Sequence, residues 1–91
     1  MAKSKRSPRD SKAFKREFAR WQKSFGMVVK EQRLKAKLSR RELAKRAKFS
    51  VSTLTHIEQG NGNPLLSNME NLAAALRTSL SRLFNLSEEN L

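Results

Sequence analysis

The sequence predicts an all-α fold, and three observations support that class. Apolar residues recur three and four positions apart along most of the 91-residue chain, which places them on one face of a helix. Ser39 with Glu42, and Ser67 with Glu70, have the spacing of capping boxes, the side-chain pairs that mark helix N-termini. No segment alternates apolar and polar residues as a half-buried strand would.

A basic, amphipathic helix is predicted over residues 11–24. Ser7 is a candidate N-cap for it, because Pro8 follows at a position that proline tolerates in a helix. Its apolar face carries aromatic residues at spacings of four, three and four, namely Phe14, Phe18, Trp21 and Phe25. Three interpretations of this aromatic stripe stay open: packing on the protein's own core, a dimer seam, or a helix lying on a membrane surface.

The helical pattern continues past Gly26, where the sequence allows either a break between two helices or a close helix crossing. Two short helices are then predicted over 39–47 and 50–59, joined by a tight turn. Gly60 is expected to end the second of them in a left-handed conformation. The stretch "GNGNP" that follows is a loop, since Asn-Gly and a residue before Pro both disfavour a helix.

Two more helices complete the predicted fold. The first starts with the Ser67 capping box and buries Leu72, and the second is a short helix behind Ser79. The last residues, 86–91, are predicted to form a short C-terminal tail.

Positive charge is concentrated in the first half of the chain. Residues 1–48 contain 18 Lys and Arg against 4 Asp and Glu, whereas residues 49–91 contain 2 against 4, and the formal net charge is +12. Such asymmetry indicates a polyanionic partner, with nucleic acid ahead of an anionic membrane surface. Residues 1–10 have the composition of a disordered basic arm.

Composition argues against several function classes. The chain has no cysteine and a single histidine, so no metal ligand set and no cofactor site are expected. It also has no Gly-rich phosphate loop, and we expect no enzymatic activity. No window approaches the ~20 apolar residues of a membrane span, and no apolar stretch follows the basic N-terminus as in a secretion signal. Cytoplasmic residence is the expectation.

Four stretches between residues 25 and 84 form a specific combination, namely "LSRRELAKRA", "SVSTLTHIEQG", "NP" and "ENLAAALRTSLSRLF". With these residues the chain resembles the phage-repressor or Cro-like (XRE-type) helix-turn-helix family. The resemblance implies a five-helix, lambda-repressor-like DNA-binding domain over residues 25–85, to which this chain adds the N-terminal amphipathic helix and basic arm. It further implies a sequence-specific transcriptional regulator of bacterial or phage type, associated with the nucleoid, with repression as the expected mode.

The chain departs from the family pattern at three positions. Arg40 stands where the family usually has Gln, just behind the N-cap of the second helix. Lys48 in the turn, and Lys37 before the "LS", stand where Gly is usual. A left-handed conformation costs a residue with a Cβ about 1 kcal/mol or more, so these lysines add charge to the DNA side at some cost in strain.

The helix over 50–59 is the predicted reading element. Leu54 and Ile57 are expected to face the core, which leaves an outward side with short polar side chains suited to a major groove about 12 Å wide. The candidates for base readout are Val51, Ser52, Thr55 and His56. For His56 and Thr55, ordinary helix surface is the alternative role.

The predicted phosphate contacts surround this helix. They are Arg40, Arg41, Lys45 and Ser50, together with Lys3, Lys5 and Arg6 of the arm. For Ser50, capping alone explains the residue type equally well. In repressors that the chain resembles, an Arg late in the first helix pairs with a Glu near the end of the reading helix. The matching residues, Arg33 and Glu58, are therefore expected to form a structural ion pair.

The expected partner is double-stranded DNA, bound by a homodimer on a palindromic operator with half-sites about one helical turn apart. An antitoxin-like or bridging protein-binding module on the same fold is the alternative, and the aromatic stripe is the feature that favours it. Non-specific RNA or membrane-surface binding by residues 1–37 is a third interpretation, which would leave the "SVSTLTH" surface without a use.

Overall fold

The computed structural model describes residues 11–91 as five α-helices joined by short loops. They are α1 (Lys12–Lys35), α2 (Arg40–Ala47), α3 (Val51–Glu58), α4 (Leu66–Ala75) and α5 (Leu80–Glu89), and no strand occurs in this part of the chain. The predicted all-α class and five-helix architecture are confirmed. Ser7 and the arm residues Lys3, Lys5 and Arg6 lie outside the described residues.

One continuous helix replaces the two segments that the sequence allowed around Gly26. The Ser11 hydroxyl accepts the Phe14 amide at 3.0 Å and caps α1 at its start. Gly26 lies in the middle of this helix, where a Cβ would meet the Ile57 carbonyl oxygen and approach that of Glu58 to 2.8 Å. The glycine therefore permits a close crossing of α1 and α3. The amphipathic segment 11–24 is the first half of α1 and not a separate helix.

The core forms where α1 packs on α5 and α3, and where α2 packs on α4. Trp21 stacks on Phe25 at 5.1 Å between ring centroids, and Phe84 from α5 meets the Trp21 ring edge-on at 5.3 Å. Leucines from the other helices fill the interior beside this cluster, and the fully buried ones are Leu43, Leu54, Leu72 and Leu83. Burial of such side chains typically stabilises a fold by ~1.5–3 kcal/mol each.

The aromatic stripe of α1 is divided between two environments. Trp21 and Phe25 belong to the core, whereas Phe14 and Phe18 remain 40% and 37% exposed and stack on each other at 5.8 Å. Packing on the protein's own core thus accounts for the second half of the stripe only.

Three of the predicted N-caps, at Ser39, Ser50 and Ser79, are confirmed, and the one at Ser67 is wrong. Ser39 caps α2 by accepting the Glu42 amide at 3.0 Å, and the Glu42 carboxylate accepts the Ser39 amide at 2.8 Å. Ser79 caps α5. At α4 the predicted Ser67 capping box does not form, because the helix begins at Leu66 and includes Ser67. The side chain that reaches back is that of Asn68, whose Oδ1 accepts the Leu65 amide at 3.1 Å.

The C-terminal segment is helical where a tail was predicted. α5 runs to Glu89 because its last turns pack on α1. Ser87 is fully buried; its hydroxyl donates to the Leu83 carbonyl at 2.7 Å, and its own carbonyl accepts the Ser24 hydroxyl at 2.5 Å. Arg20 then donates to the Leu91 carbonyl at 3.1 Å. Residues 86–89 are therefore part of the folded domain.

Candidate nucleic-acid interface

α2 and α3 form a helix-turn-helix whose turn passes through a left-handed lysine. Lys48 has φ 65°. Its amide donates to the Lys45 carbonyl at 3.2 Å, and the Phe49 amide donates to the Ala44 carbonyl at 3.1 Å, so the end of α2 is closed by hydrogen bonds. The strain expected at this non-glycine residue is therefore present.

The same closure recurs at two other helix ends. Lys37, after α1, has φ 59°, and Arg77, after α4, has φ 58°. Lys37 was expected in this conformation from the family pattern, whereas no sequence signal pointed to Arg77. Gly60 ends α3 with φ 78°, as predicted.

The outward side of α3 carries most of the side chains predicted to read bases. Leu54 and Ile57 are buried under the helix, while Val51, Ser52 and His56 are exposed. Val51 is 41% exposed although it is apolar, so a large part of this side chain is not packed against the protein's own core. The structure thus presents an apolar, a hydroxyl and an imidazole group together at the surface of one short helix.

Thr55 and Ser50, unlike Val51, Ser52 and His56, use their side chains in hydrogen bonds within α3 and its N-cap. Thr55 is half-buried, and its hydroxyl donates to the Val51 carbonyl at 2.9 Å. The Ser50 hydroxyl accepts the Thr53 amide at 3.0 Å and donates to the Thr53 hydroxyl at 2.9 Å. Both side chains stabilise α3, and Ser50 caps the helix end whose dipole favours a nearby anion.

Glu58, at the end of α3, is bound by two arginines. Arg33 donates from Nε to one carboxylate oxygen at 2.7 Å and from Nη2 to the other at 3.2 Å. Its Nη1 donates to the Leu38 carbonyl at 3.0 Å, and the side chains of Arg33 and Glu58 are 8% and 1% exposed. This geometry fixes α3 against α1 and the start of α2.

Arg40 is the second arginine on Glu58, a contact that sequence reasoning missed. Its Nε donates to the carboxylate at 2.9 Å, although the residue was predicted to bind phosphate. The side chain is 40% exposed, and within residues 11–91 its two Nη groups have no hydrogen-bond partner. One guanidinium can therefore hold Glu58 and still offer donors to an anion outside. No local pattern signals this contact, because 18 residues separate Arg40 from Glu58.

Close backbone approach also fixes the position of α3. Gly60 lies so near α1 that a Cβ would come within 2.8 Å of the Lys23 Cα, in addition to the close approach at Gly26. The loop beyond is held by Gln22, whose Nε2 donates to the Gly62 carbonyl. The sequence allowed a close crossing at Gly26 but did not identify α3 as the partner, and the supports at Gly60 and Gln22 were not predicted.

Exposed cations lie on α2, which packs against α3. Arg41 and Lys45 are exposed, and neither forms an ion pair with another residue in the described part of the chain. Glu42, the acidic residue of the same helix, is engaged with Ser39. Hydrogen bonds from the Ser39 amide and then the Ser39 hydroxyl lower the pKa of the Glu42 carboxyl below its ordinary value.

Neither a metal centre nor a membrane span can be identified over residues 11–91. No group of three or more His, Cys, Asp or Glu residues in this range could hold a metal ion. No helix in the same range is both long and apolar enough to cross a bilayer.

Comparisons with known proteins agree with the geometry. The HTH_3 helix-turn-helix family model matches residues 29–83. The restriction-modification controller protein C.AhdI from Aeromonas hydrophila is 31% identical, with a TM-score of 0.66 over 67% of this chain and 92% of that one. The clp gene regulator ClgR from Corynebacterium glutamicum shares the fold at 18% identity, with a TM-score of 0.74 over 78% of this chain and 92% of that one. A search of curated protein sequences found no match.

Proposed function

The chain belongs to the HTH_3 helix-turn-helix family, and from that premise we propose that it is a sequence-specific regulator of transcription. We define α3 as the recognition helix, which enters the major groove of double-stranded DNA. The observation that carries this proposal is the exposed and uncharged face formed by Val51, Ser52 and His56, which stands beside the unpaired cations of α2. A helix surface evolved only for solubility would carry Lys or Glu at such positions.

Each side chain of that face suits a different base edge. Val51 offers an apolar surface to a thymine methyl group, and the Ser52 hydroxyl both donates and accepts. His56 donates to guanine, or accepts from an exocyclic amine when neutral. Thr55 contributes through its methyl group, since its hydroxyl is bound to the Val51 carbonyl. Each good polar pair supplies ~1–3 kcal/mol of discrimination against the wrong base.

Phosphates are bound by the cations around the recognition helix. Arg41 and Lys45 contact phosphates of the DNA backbone on one side of α3. Arg40 binds a phosphate through its two Nη groups while its Nε stays hydrogen-bonded to Glu58. The arm adds Lys3, Lys5 and Arg6. If six such contacts form, counterion release gives a log–log salt slope of roughly −5.

Matched pairs of substitutions test this assignment. We expect Ser52→Ala with His56→Ala to lose affinity for a duplex selected from a random pool, and to change little on random duplex. Arg41→Ala with Lys45→Ala should weaken both duplexes alike and reduce the salt slope by roughly 1 for each lost contact. Titration by fluorescence anisotropy at several salt concentrations measures both effects. Equal losses on both duplexes for the first pair would remove base readout from the proposal.

The assembly that we propose is a homodimer on a palindromic operator. One recognition helix covers few base pairs, and a two-fold pair of helices about 34 Å apart reads two half-sites on one side of the duplex. Repression is the proposed mode, because such a dimer blocks the DNA it occupies without needing a further activity. The place of action is then the nucleoid, in the cytoplasm. Analytical ultracentrifugation with and without operator tests the dimer.

A second candidate function is protein binding by the first half of α1. The exposed pair Phe14 and Phe18 favours it, because stacked aromatic side chains of this kind are enriched in protein interfaces. An antitoxin-like or bridging role would use this pair. A second polypeptide that co-purifies with the wild-type chain, and is lost with Phe14→Ser and Phe18→Ser, would support this role.

A further inference from the structure

Asn61 and Gly62 form an exposed Asn-Gly pair directly behind the recognition helix. We propose that Asn61 is a site of spontaneous deamidation, and that the acidic product weakens DNA binding. The second half of this proposal rests on the proposed function, whereas the first half concerns the chemistry of this loop alone.

The reaction begins with the backbone nitrogen of Gly62. This nitrogen loses its proton and attacks the side-chain carbonyl carbon of Asn61. A carbon–nitrogen bond forms to Gly62, the bond to the side-chain amide nitrogen breaks, and that nitrogen leaves as ammonia with the proton. Water then opens the cyclic imide at either carbonyl, which leaves an aspartyl or an isoaspartyl residue. Water is the only co-reactant, and no oxidation occurs.

The loop leaves the attacking group free. The Gly62 amide makes no hydrogen bond to any of the residues 11–91, while its carbonyl is held by Gln22. Gly62 has φ +75°, and no atom lies within 4 Å of the place where a Cβ would stand. The Asn61 side chain makes a single long contact, 3.5 Å to the Gln59 side chain. Ring closure therefore breaks no strong hydrogen bond, and the space on the Cβ side of Gly62 is open.

The other asparagines lack this free amide. Asn63 precedes Pro64, whose nitrogen carries no proton. Asn90 precedes Leu91, whose amide donates to the Glu88 carbonyl at 3.1 Å. The remaining three are followed by residues inside helices, where the amide is bound to a carbonyl of the preceding turn; they are Asn68, Asn71 and Asn85. The structure thus singles out one of six asparagines.

A negative charge at position 61 acts on the recognition helix in two ways. The backbone N–H of Asn61 donates to the His56 carbonyl at 2.9 Å. The new carboxylate on residue 61 therefore lies at the C-terminal, negative end of α3. It also repels the phosphates beside that helix. Both effects have the same sign, and by the usual size of a charge at a helix end we expect an affinity loss of about two- to fivefold or more.

Peptide mapping by mass spectrometry tests the modification on the 91-residue chain. After incubation at mildly alkaline pH, we expect the deamidation mass gain at position 61 and not at the other five asparagines. Asn61→Gln should resist, because its longer side chain forms the cyclic imide poorly. Modification spread evenly over the asparagines, or none at position 61, would overturn the proposal.

Binding to a duplex selected by the fresh wild-type chain tests the consequence. We expect the aged chain and Asn61→Asp to lose affinity, while aged Asn61→Gln keeps it. Asn85→Asp is the matched control, since it adds the same charge on an exposed position of α5. Full affinity of Asn61→Asp would refute the effect on binding. If the fresh chain selected no duplex, the proposed function would fail, and peptide mapping would still decide the modification.

Discussion

Replacement of Glu58 by Ala tests the three-residue ion network that holds the recognition helix. The substitution leaves the Arg33 guanidinium almost fully buried with only the Leu38 carbonyl as a partner. Removing one member of a buried ion pair costs ~3–5 kcal/mol, because the remaining charge has lost both its water and its partner. Domains of this size are stable by only ~5–15 kcal/mol. Glu58→Ala should therefore remove a large share of the stability.

The corresponding shift in melting temperature is large enough to measure easily. At about 4–8 °C per kcal/mol for a domain of 60–100 residues, a loss of ~3 kcal/mol lowers Tm by roughly 12–24 °C. Arg40→Ala is the matched control, because it removes the 40% exposed partner of the same carboxylate. Exposed pairs contribute ~0–1 kcal/mol, so that variant should melt within a few degrees of the wild type.

Thermal denaturation followed by circular dichroism measures both variants. A further variant, Arg33→Met with Glu58→Leu, should recover most of the loss, since apolar replacement of a buried pair is often neutral or stabilising. The reasoning is refuted if Glu58→Ala and Arg40→Ala lower Tm equally, or if Glu58→Ala changes base preference while Tm stays at the wild-type value.

Three further predictions concern the local structure. Lys48→Gly and Arg77→Gly should each stabilise the fold by about 1 kcal/mol in urea unfolding, since glycine relieves the left-handed strain; a loss of stability in either would contradict this. Gly26→Ala should destabilise by about 1–3 kcal/mol in the same assay, because the added Cβ meets the carbonyls at the end of α3; wild-type stability would show that the two helices separate without cost. The Ser39 hydrogen bonds lower the pKa of Glu42 in the folded state. Their contribution to stability is therefore fully present above the pKa of Glu42 in the unfolded chain, and it is lost as the pH falls through the pKa of Glu42 in the folded chain. Glu42→Gln should remove that part of the acid dependence of Tm, and a pH profile of Tm identical to that of the wild type would contradict this contribution.

Prediction from sequence succeeded where the signal is local. The Ser39 capping box and the left-handed Gly60 involve residues at most a few positions apart, and the structure shows both. The capping box expected at Ser67 shows the limit of such signals. Asn68, two positions before Glu70, provides the acceptor that reaches back to the chain, so α4 begins at Leu66, two positions earlier than a Ser67 cap implies.

The sequence by itself determined the helical class, the helix-turn-helix and which side of α3 faces outward, because each depends on spacings of three or four along one chain. Only the tertiary structure decided that Phe14 and Phe18 stay exposed while Phe25, in the same stripe, is buried and Trp21 is partly buried against the core. It also decided that Arg40 shares Glu58 with Arg33. The physical reason is that a periodic pattern defines a face and not its partner, and a partner 18 or more positions away becomes a neighbour only when the helices pack.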